Sequence, residues 1–148
     1  MSNVLIVYGS TTGNTEGVAE AIGKQLSAAG HEVTVLDAAS ADADGLCDGH
    51  DAVLFGCSAW GTDEVELQPD FDALFESFDN INARGRKVAC FATGDSSFEH
   101  FCGSVDVIEA RLVELGAVLM QEGLKIDGDL QSGEADVEEW TSRLAEQL

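Results

Sequence analysis

The sequence predicts an α/β fold, a three-layer doubly wound sheet of five parallel strands in the order 2-1-3-4-5, formed by residues 1–148 as one domain. Three observations carry that expectation. Short continuous apolar runs at Val4–Val7, Ala52–Ser58 and Lys87–Thr93 have the pattern of strands buried on both faces. Between the strands, apolar residues recur every three or four positions, as on helices that bury one face. Strands alternating with helices pair in parallel, and the helices cover both sides of the sheet.

Taken in order, Val4, Leu5, Ile6 and Val7 form the first strand, which breaks at Gly9. Val18, Ile22, Leu26 and Ala29 mark the first helix, and Gly30 ends the periodic stretch. Glu32 to Asp37 alternates as a strand, and Ala38 to Gly49 is a small, polar surface connection with room for a turn of helix. Ala52 to Ser58 is the third strand. Ala59 to Gln68 has no period and carries Asp63, Glu64 and Glu66. Pro69 suits the first turn of a second helix, continued by Phe71, Leu74, Phe75 and Phe78. Lys87 to Thr93 is the fourth strand, and Gly94 to Gly103 is a connection rich in small and aromatic residues. Val105, Ile108, Leu112 and Leu115 mark the third helix, with Gly116 following. Val118–Met120 and Leu124–Ile126 supply the last strand, interrupted near Gly123. A final helix spans Glu134 to Gln147, with Val137, Trp140 and Leu144 on one face.

The turn after the first strand, running from Ser10 through Thr11, Thr12, Gly13 and Asn14 to Thr15, is the clearest chemical signal in the chain. A strand, a hydroxyl-rich turn and a helix start together aim backbone N–H groups and a positive helix end at an anion. A single helix cap needs one such residue. A run of six polar and glycine positions points to a phosphate. It is not a triphosphate loop, because Gly9 and Gly13 enclose three residues and Asn14 stands where a Lys is required. The dinucleotide pattern G-x-G-x-x-G is also missing. The nearest cation, Lys24, lies further along the helix and reads as solvated, so the turn offers neutral donors only.

GSTTGNT after an N-terminal strand resembles the phosphate loop of flavodoxins, small electron carriers that bind flavin mononucleotide (FMN). A length of 148 residues fits their short-chain branch, and the resemblance runs over the whole chain. In open α/β sheets ligands bind beyond the C-terminal strand ends where the winding reverses, a rule for which flavodoxins are themselves a standard case. The rule implies that Ser10–Thr15, Ser58–Gln68 and Thr93–Cys102 converge on one ligand. Trp60 and Phe98 match the two aromatics between which the family stacks the isoalloxazine ring. Phe98 keeps the stacking face but lacks the phenol hydroxyl often found there. Gly61 matches the peptide whose carbonyl swings toward flavin N5 in the semiquinone, a change that glycine tolerates. Thr62 stands where the family often has an acid, the acids here being displaced to Asp63 and Glu64. The same resemblance implies that Asp95 and Cys102 offer backbone N–H groups to the pyrimidine edge. It implies that Ser58, Ala59 and Thr93 line the ribityl and phosphate side, Ala59 replacing a more usual hydroxyl. Gly94 and Phe101 complete the implied cofactor-binding set.

Twenty-eight acids against seven Lys and Arg give a net charge of −21. Such a surface repels nucleic acid and anionic membranes and attracts basic partners. The charge by itself serves solubility or salt adaptation equally well. No apolar run reaches the length of a membrane span and no signal-peptide pattern opens the chain, so the expected location is cytoplasmic. Cys47, Cys57, Cys90 and Cys102 show no C-x-x-C spacing, which argues against iron–sulfur, zinc and thioredoxin-type sites. All four are expected reduced, with Cys57 and Cys90 buried as small hydrophobes. His31, His50 and His100 have no ligand spacing and read as solvated; no metal site is expected.

The resemblance implies a low-potential one-electron carrier rather than an enzyme. It would cycle non-covalently bound FMN between semiquinone and hydroquinone and serve, as a monomer, redox proteins with basic docking surfaces. A second reading is an FMN-dependent quinone or azo reductase taking hydride from NAD(P)H. Covers on both ring faces at Trp60 and Phe98 would block that donor, and no residues remain for a dinucleotide domain. A phospho-acceptor regulator shares the fold but needs acids at the ends of strands one and three, where Tyr8-Gly9 and Cys57-Ser58 stand.

Overall fold

The computed structural model describes residues 2–9, 13–57, 59–60, 66–67, 69–94, 103–127 and 130–148, with backbone alone at 59–60, 66–67, 94 and 130–132. Strand β1 (Asn3–Gly9) leads to helix α1 (Asn14–Ala28), then β2 (Glu32–Asp37) and β3 (Ala52–Cys57). A small antiparallel pair, β4 (Ala59–Trp60) with β5 (Glu66–Leu67), precedes helix α2 (Pro69–Phe75). Then come β6 (Lys87–Gly94), α3 (Gly103–Glu114), β7 (Val118–Leu119), β8 (Leu124–Asp127) and α4 (Leu130–Ala145). The main sheet is parallel throughout, in the order β2-β1-β3-β6, with β7 and β8 both pairing on the far side of β6. This is the expected order 2-1-3-4-5, its fifth strand broken into two pieces.

The unbroken apolar runs follow from two buried faces. Leu5 and Val7 of β1 join Val53, Phe55, Cys90 and the inner sides of α2 and α3 (Phe71, Leu74, Val105, Ile108, Leu112). Val4, Ile6 and Tyr8 point the other way, into α1 and α4 (Val18, Ile22, Leu26, Val137, Trp140, Leu144). Successive strand residues alternate between faces, so a strand covered on both sides has no polar positions to spare. Edge strand β2 is covered less completely and exposes Val35. That is why its sequence alternates.

Several elements differ from the expected ones. Ala29 is not on the buried stripe of α1; it is the exposed residue after the helix, its amide bonded to Gln25 O and Leu26 O. Helix α2 ends at Phe75, and Phe78 reaches the core from a separate 3-10 turn, Phe78–Asn80. Helix α4 starts at Leu130 rather than Glu134, with non-helical geometry at Gly133, where a Cβ would stand 2.8 Å from Ile126 Cδ1. Ala59 to Gln68, expected to lack regular structure, contains β4 and β5. His31 and His50 are half-buried rather than solvated: Ser2 N donates to His31 Nδ1 at 3.0 Å, and His50 Nδ1 lies 3.0 Å from Asn3 Oδ1. Cys47, Cys57 and Cys90 are buried, as expected of Cys57 and Cys90. Burial pushes the Cys47 thiol up to about 11 and that of Cys90 well above its ordinary value, so both stay protonated. His100 and Cys102 lie outside the described residues. Among those described, no helix is long and apolar enough to cross a membrane.

Candidate functional site

Three strand ends lie side by side. Gly9, the last residue of β1, pairs with Cys57, the last of β3; on the next strand Gly56 pairs with Phe91, three residues before the end of β6. The chain leaves β1 into α1 on one face of the sheet, and leaves β3 and β6 toward α2 and α3 on the other. The winding therefore reverses between β1 and β3, at their C-terminal ends.

At the start of α1, Gly13 has φ +91° and ψ −5°, the left-handed region that glycine enters at little cost. Among the described residues no atom lies within 4 Å of a Cβ built there, and the backbone angle by itself calls for glycine. Gly17 N donates to Gly13 O at 3.0 Å. Asn14, Thr15 and Glu16 lie ahead of that bond, and their amides form the positive end of the helix.

Two buried hydroxyl contacts tie the strand ends together, one on each face. Thr15 Oγ1 and Thr93 Oγ1 share a hydrogen bond of 2.8 Å, with Thr15 wholly buried and Thr93 4% exposed. Ser104, in the first turn of α3, donates to Cys57 O at 2.7 Å and is also wholly buried. Buried Ser and Thr among the described residues are Thr15, Thr93, Ser104 and Thr141. The first three gather at this edge of the sheet. Buried hydroxyls are retained where they are satisfied, and here each satisfies or is satisfied by a different segment.

The Lys and Arg residues divide along the strand direction. Arg84, Arg86 and Lys87 lie at the start of β6. Lys24, Arg111 and Arg143 lie in the C-terminal halves of α1, α3 and α4, which return to that same edge. Lys125 alone is level with the C-terminal half of β6, and its Nζ is 3.1 and 3.2 Å from the Asp106 carboxylate oxygens. The donor set at the start of α1 thus fits an anion held by amides and hydroxyls rather than by a cation.

Of the residues singled out in the sequence, Gly13, Asn14 and Thr15 stand at the start of α1, and Thr93 and Gly94 end β6. Ala59 and Trp60 form β4, paired in register with Leu67 and Glu66. Ser10, Thr11, Thr12, Ser58, Gly61, Thr62, Asp95, Phe98, Phe101 and Cys102 lie outside the described residues. The structure adds Ser104, which in sequence looks like one more Ser at a helix start. It also adds Glu16, bonded to Tyr8 at 3.1 Å.

A family model described as Flavodoxin matches residues 6–140. The chain is 53% identical over 148 residues to Flavodoxin of Nitratidesulfovibrio vulgaris strain Miyazaki F, with all of both chains covered. It is 44% identical over 148 residues, again with both covered in full, to Flavodoxin of Maridesulfovibrio salexigens. The crystal structure of oxidised Flavodoxin 2 from Bacillus cereus superposes with a TM-score of 0.90 at 36% identity, covering 99% of this chain and 100% of that one. The reductase reading gives way to the carrier. The chain belongs to the flavodoxin family of FMN-binding electron carriers.

Proposed function

We propose that this flavodoxin holds the FMN phosphate in the turn Ser10–Thr15 and the flavin ring between Trp60 and Phe98, and works at low potential, one electron at a time. The observation that carries this reading is the start of α1. A left-handed Gly13 and a buried Thr15 meet the ends of β1 and β6, and the Lys and Arg residues lie elsewhere or, at Lys125, in an ion pair. FMN supplies the electron-transfer chemistry when bound. The chain binds the phosphate through Ser10, Thr11, Thr12, Asn14 and Thr15, and lines the ribityl side with Ser58, Ala59, Thr93 and Gly94. Backbone N–H groups of Asp95 and Cys102 orient the ring edge, Gly61 and Thr62 supply an adaptable peptide, and Phe101 helps to exclude water.

The 148 residues act as one domain, supported by helices packed on both faces of a single parallel sheet. The partners of this reading are redox proteins that bring a basic surface to the acidic chain, which serves them as a cytoplasmic monomer. A net charge of −21, with every Lys and Arg but Lys125 at the far edge, favours docking at the site end.

Binding of FMN against riboflavin tests the phosphate subsite. Thr12→Ala should weaken FMN about tenfold and leave riboflavin nearly unchanged, the effect of one lost hydrogen bond to a charged group. Equal losses for both ligands would place the phosphate elsewhere. Trp60→Ala should weaken both and restore emission from bound flavin; full quenching at unchanged affinity would overturn the sandwich.

A further inference from the structure

Strand β7 closes one side of the sheet, and both of its side chains are exposed, Val118 at 53% and Leu119 at 37%. Val113, in the last turn of α3 where that helix packs on β7, is 56% exposed. Four large apolar side chains are exposed among the described residues, and these are three of them. The backbone edge is open as well. Val118 N–H donates to Arg86 O at 2.8 Å and Met120 N–H to Val88 O at 2.9 Å. Alternation along the strand therefore turns the Leu119 N–H and C=O away from β6. Among the described residues no strand pairs beyond β7.

Cations run alongside this edge in a chain that has few. Arg84, Arg86 and Lys87 are three of the seven Lys and Arg residues in a chain of net charge −21. Gly85 N–H donates to Gly116 O at 2.9 Å, and Lys87 is level with Val118. Arg86 turns to Asp48, at 3.8 Å. Lys87 Nζ donates to the Gln147 carbonyl at 2.9 Å, and among the described residues neither Lys87 nor Arg84 is in an ion pair. Proteins blunt open edges with charge on the edge strand itself. Here the strand's own side chains are Val and Leu, and a chain with 28 acids sets cations next to them.

The two sides of the edge differ. Leu119 lies on the side of the sheet that carries Val88 and α3, and Val118 on the side of Lys87. A strand added here meets Leu119 and Val113 with one set of alternate residues and Lys87 with the other.

We propose that β7 is a docking edge for an extended acidic segment of a partner protein, added as a further strand whose apolar residues cover Leu119 and Val113 and whose alternate carboxylates face Lys87 and Arg84. A second copy of this chain fits poorly, because a twofold pairing of β7 brings two sets of these cations together. Nucleic acid and anionic membranes carry many charges and meet the repulsion of the whole chain, whereas a short segment brings few. Strand β7 is level with the start of β6 and the candidate cofactor site with its end, so both surfaces can be occupied at once and neither depends on the other.

The test is a titration of the FMN-loaded full chain with a short capped peptide of alternating Val and Glu, read from amide chemical shifts. The Leu119 amide should move most, with its neighbours along the edge, while the rest of the spectrum stays in place. Arg84→Glu with Lys87→Glu should weaken this peptide at least about fivefold, the effect of two reversed surface charges. The same variant should accept a Val–Lys peptide at the same edge. Leu119→Asp should weaken the Val–Glu peptide about tenfold, the effect of one lost apolar contact. Where the charge swap disturbs folding, seen as shifts throughout the spectrum, Arg84→Gln with Lys87→Gln gives the same comparison with a smaller loss. A Leu119 amide unmoved at millimolar peptide would overturn the proposal, as would equal affinity of the swapped and unaltered chains. A Val–Lys peptide that binds β7 of the unaltered chain as well as the Val–Glu peptide does would sink it too. Sedimentation showing a mass that rises with concentration, and no longer does so in Leu119→Asp, would seat a second copy on the edge instead.

Discussion

Tyr8 donates its phenol proton to Glu16 Oε1 across 3.1 Å, so the end of β1 is fastened to the first turn of α1 on either side of residues 10–12. Burial, and after it the bond to Glu16, pushes the phenol pKa up to about 12 from 10. An acid with a raised folded pKa keeps its proton longer in the folded state. Between pH 10 and about 12 the unfolded chain therefore binds fewer protons, and stability falls as pH rises. The chain has one Tyr, so tyrosinate absorbance reports Tyr8 without ambiguity. Its midpoint should lie near 12 in native protein and near 10 in urea, and Tyr8→Phe should remove the corresponding fall in stability. A native midpoint equal to the denatured one would show that the phenol is not held by Glu16.

Glu109 offers a second pH signature, on the other face of the sheet. It reaches from α3 to the break between β7 and β8, where it accepts a bond from the Gly123 backbone N–H. Burial foremost, then Asp106, raises its pKa from 4.5, against the opposing pull of Lys125 and that N–H. The ionised form thus costs stability above the folded pKa, and the cost vanishes below 4.5, where both states are protonated. Glu109→Gln keeps an acceptor for Gly123 and removes the charge. Its urea midpoint should exceed the native one at neutral pH, and the advantage should disappear in acid. Identical midpoints at both pH values would mean that the native carboxylate is as well solvated as in the unfolded chain.

Gly56 is required for a different reason from Gly13. A Cβ at Gly56 would stand 2.2 Å from Cε2 and Cζ of Phe91, whose ring packs edge-on against Trp140 with centroids 6.4 Å apart. Gly56→Ala forces the Phe91 ring aside and should cost about 1–3 kcal/mol, the usual range for an overpacked core. The loss is measurable as a lowered urea midpoint, accompanied by a changed near-ultraviolet dichroism from Trp140. Native stability would show that the ring has somewhere else to go.

Strands β1, β3 and β6 were legible because coverage on both faces leaves an uninterrupted apolar run, a signal that needs no knowledge of neighbours. Helices α1 and α3 were legible from their buried stripes. Elements held by contacts rather than by period were not. Two-residue strands such as Ala59–Trp60 and Glu66–Leu67 are too short to show alternation. Phe78 continues the spacing of Phe71, Leu74 and Phe75, and a 3-10 turn delivers it to the same core, so spacing could not place the helix end. The reading of Ser10–Thr15 rests on local chemistry alone, with residues 10–12 outside those described, while the Thr15–Thr93 and Ser104–Cys57 ties join residues 78 and 47 apart and leave no local trace.

The uneven placement of charge leads to a prediction about potential. Reducing the holoprotein adds negative charge at the proposed site, and the basic residues lie at the opposite edge or, at Lys125, in a bridge with Asp106. Asp63 and Glu64 fall between β4 and β5 in sequence, and Glu66 opens β5, all close in the chain to Trp60. One such charge at about 10 Å, with an effective dielectric of about 20–80, opposes the added charge by roughly 0.4–1.7 kcal/mol. For a one-electron couple that is roughly 20–70 mV per charge before screening. Several together should make the more negative of the protein's two potentials strongly reducing and leave the other less affected. Exposed charges are screened over about 10 Å at 0.1 M salt, so added salt should raise the more negative potential. Changing Asp63, Glu64 and Glu66 to their amides should raise it further at low salt and weaken its salt dependence. The competing account is that these acids serve docking or solubility alone. On that account both midpoint potentials stay where they are, and only the rate of electron transfer to a basic partner falls.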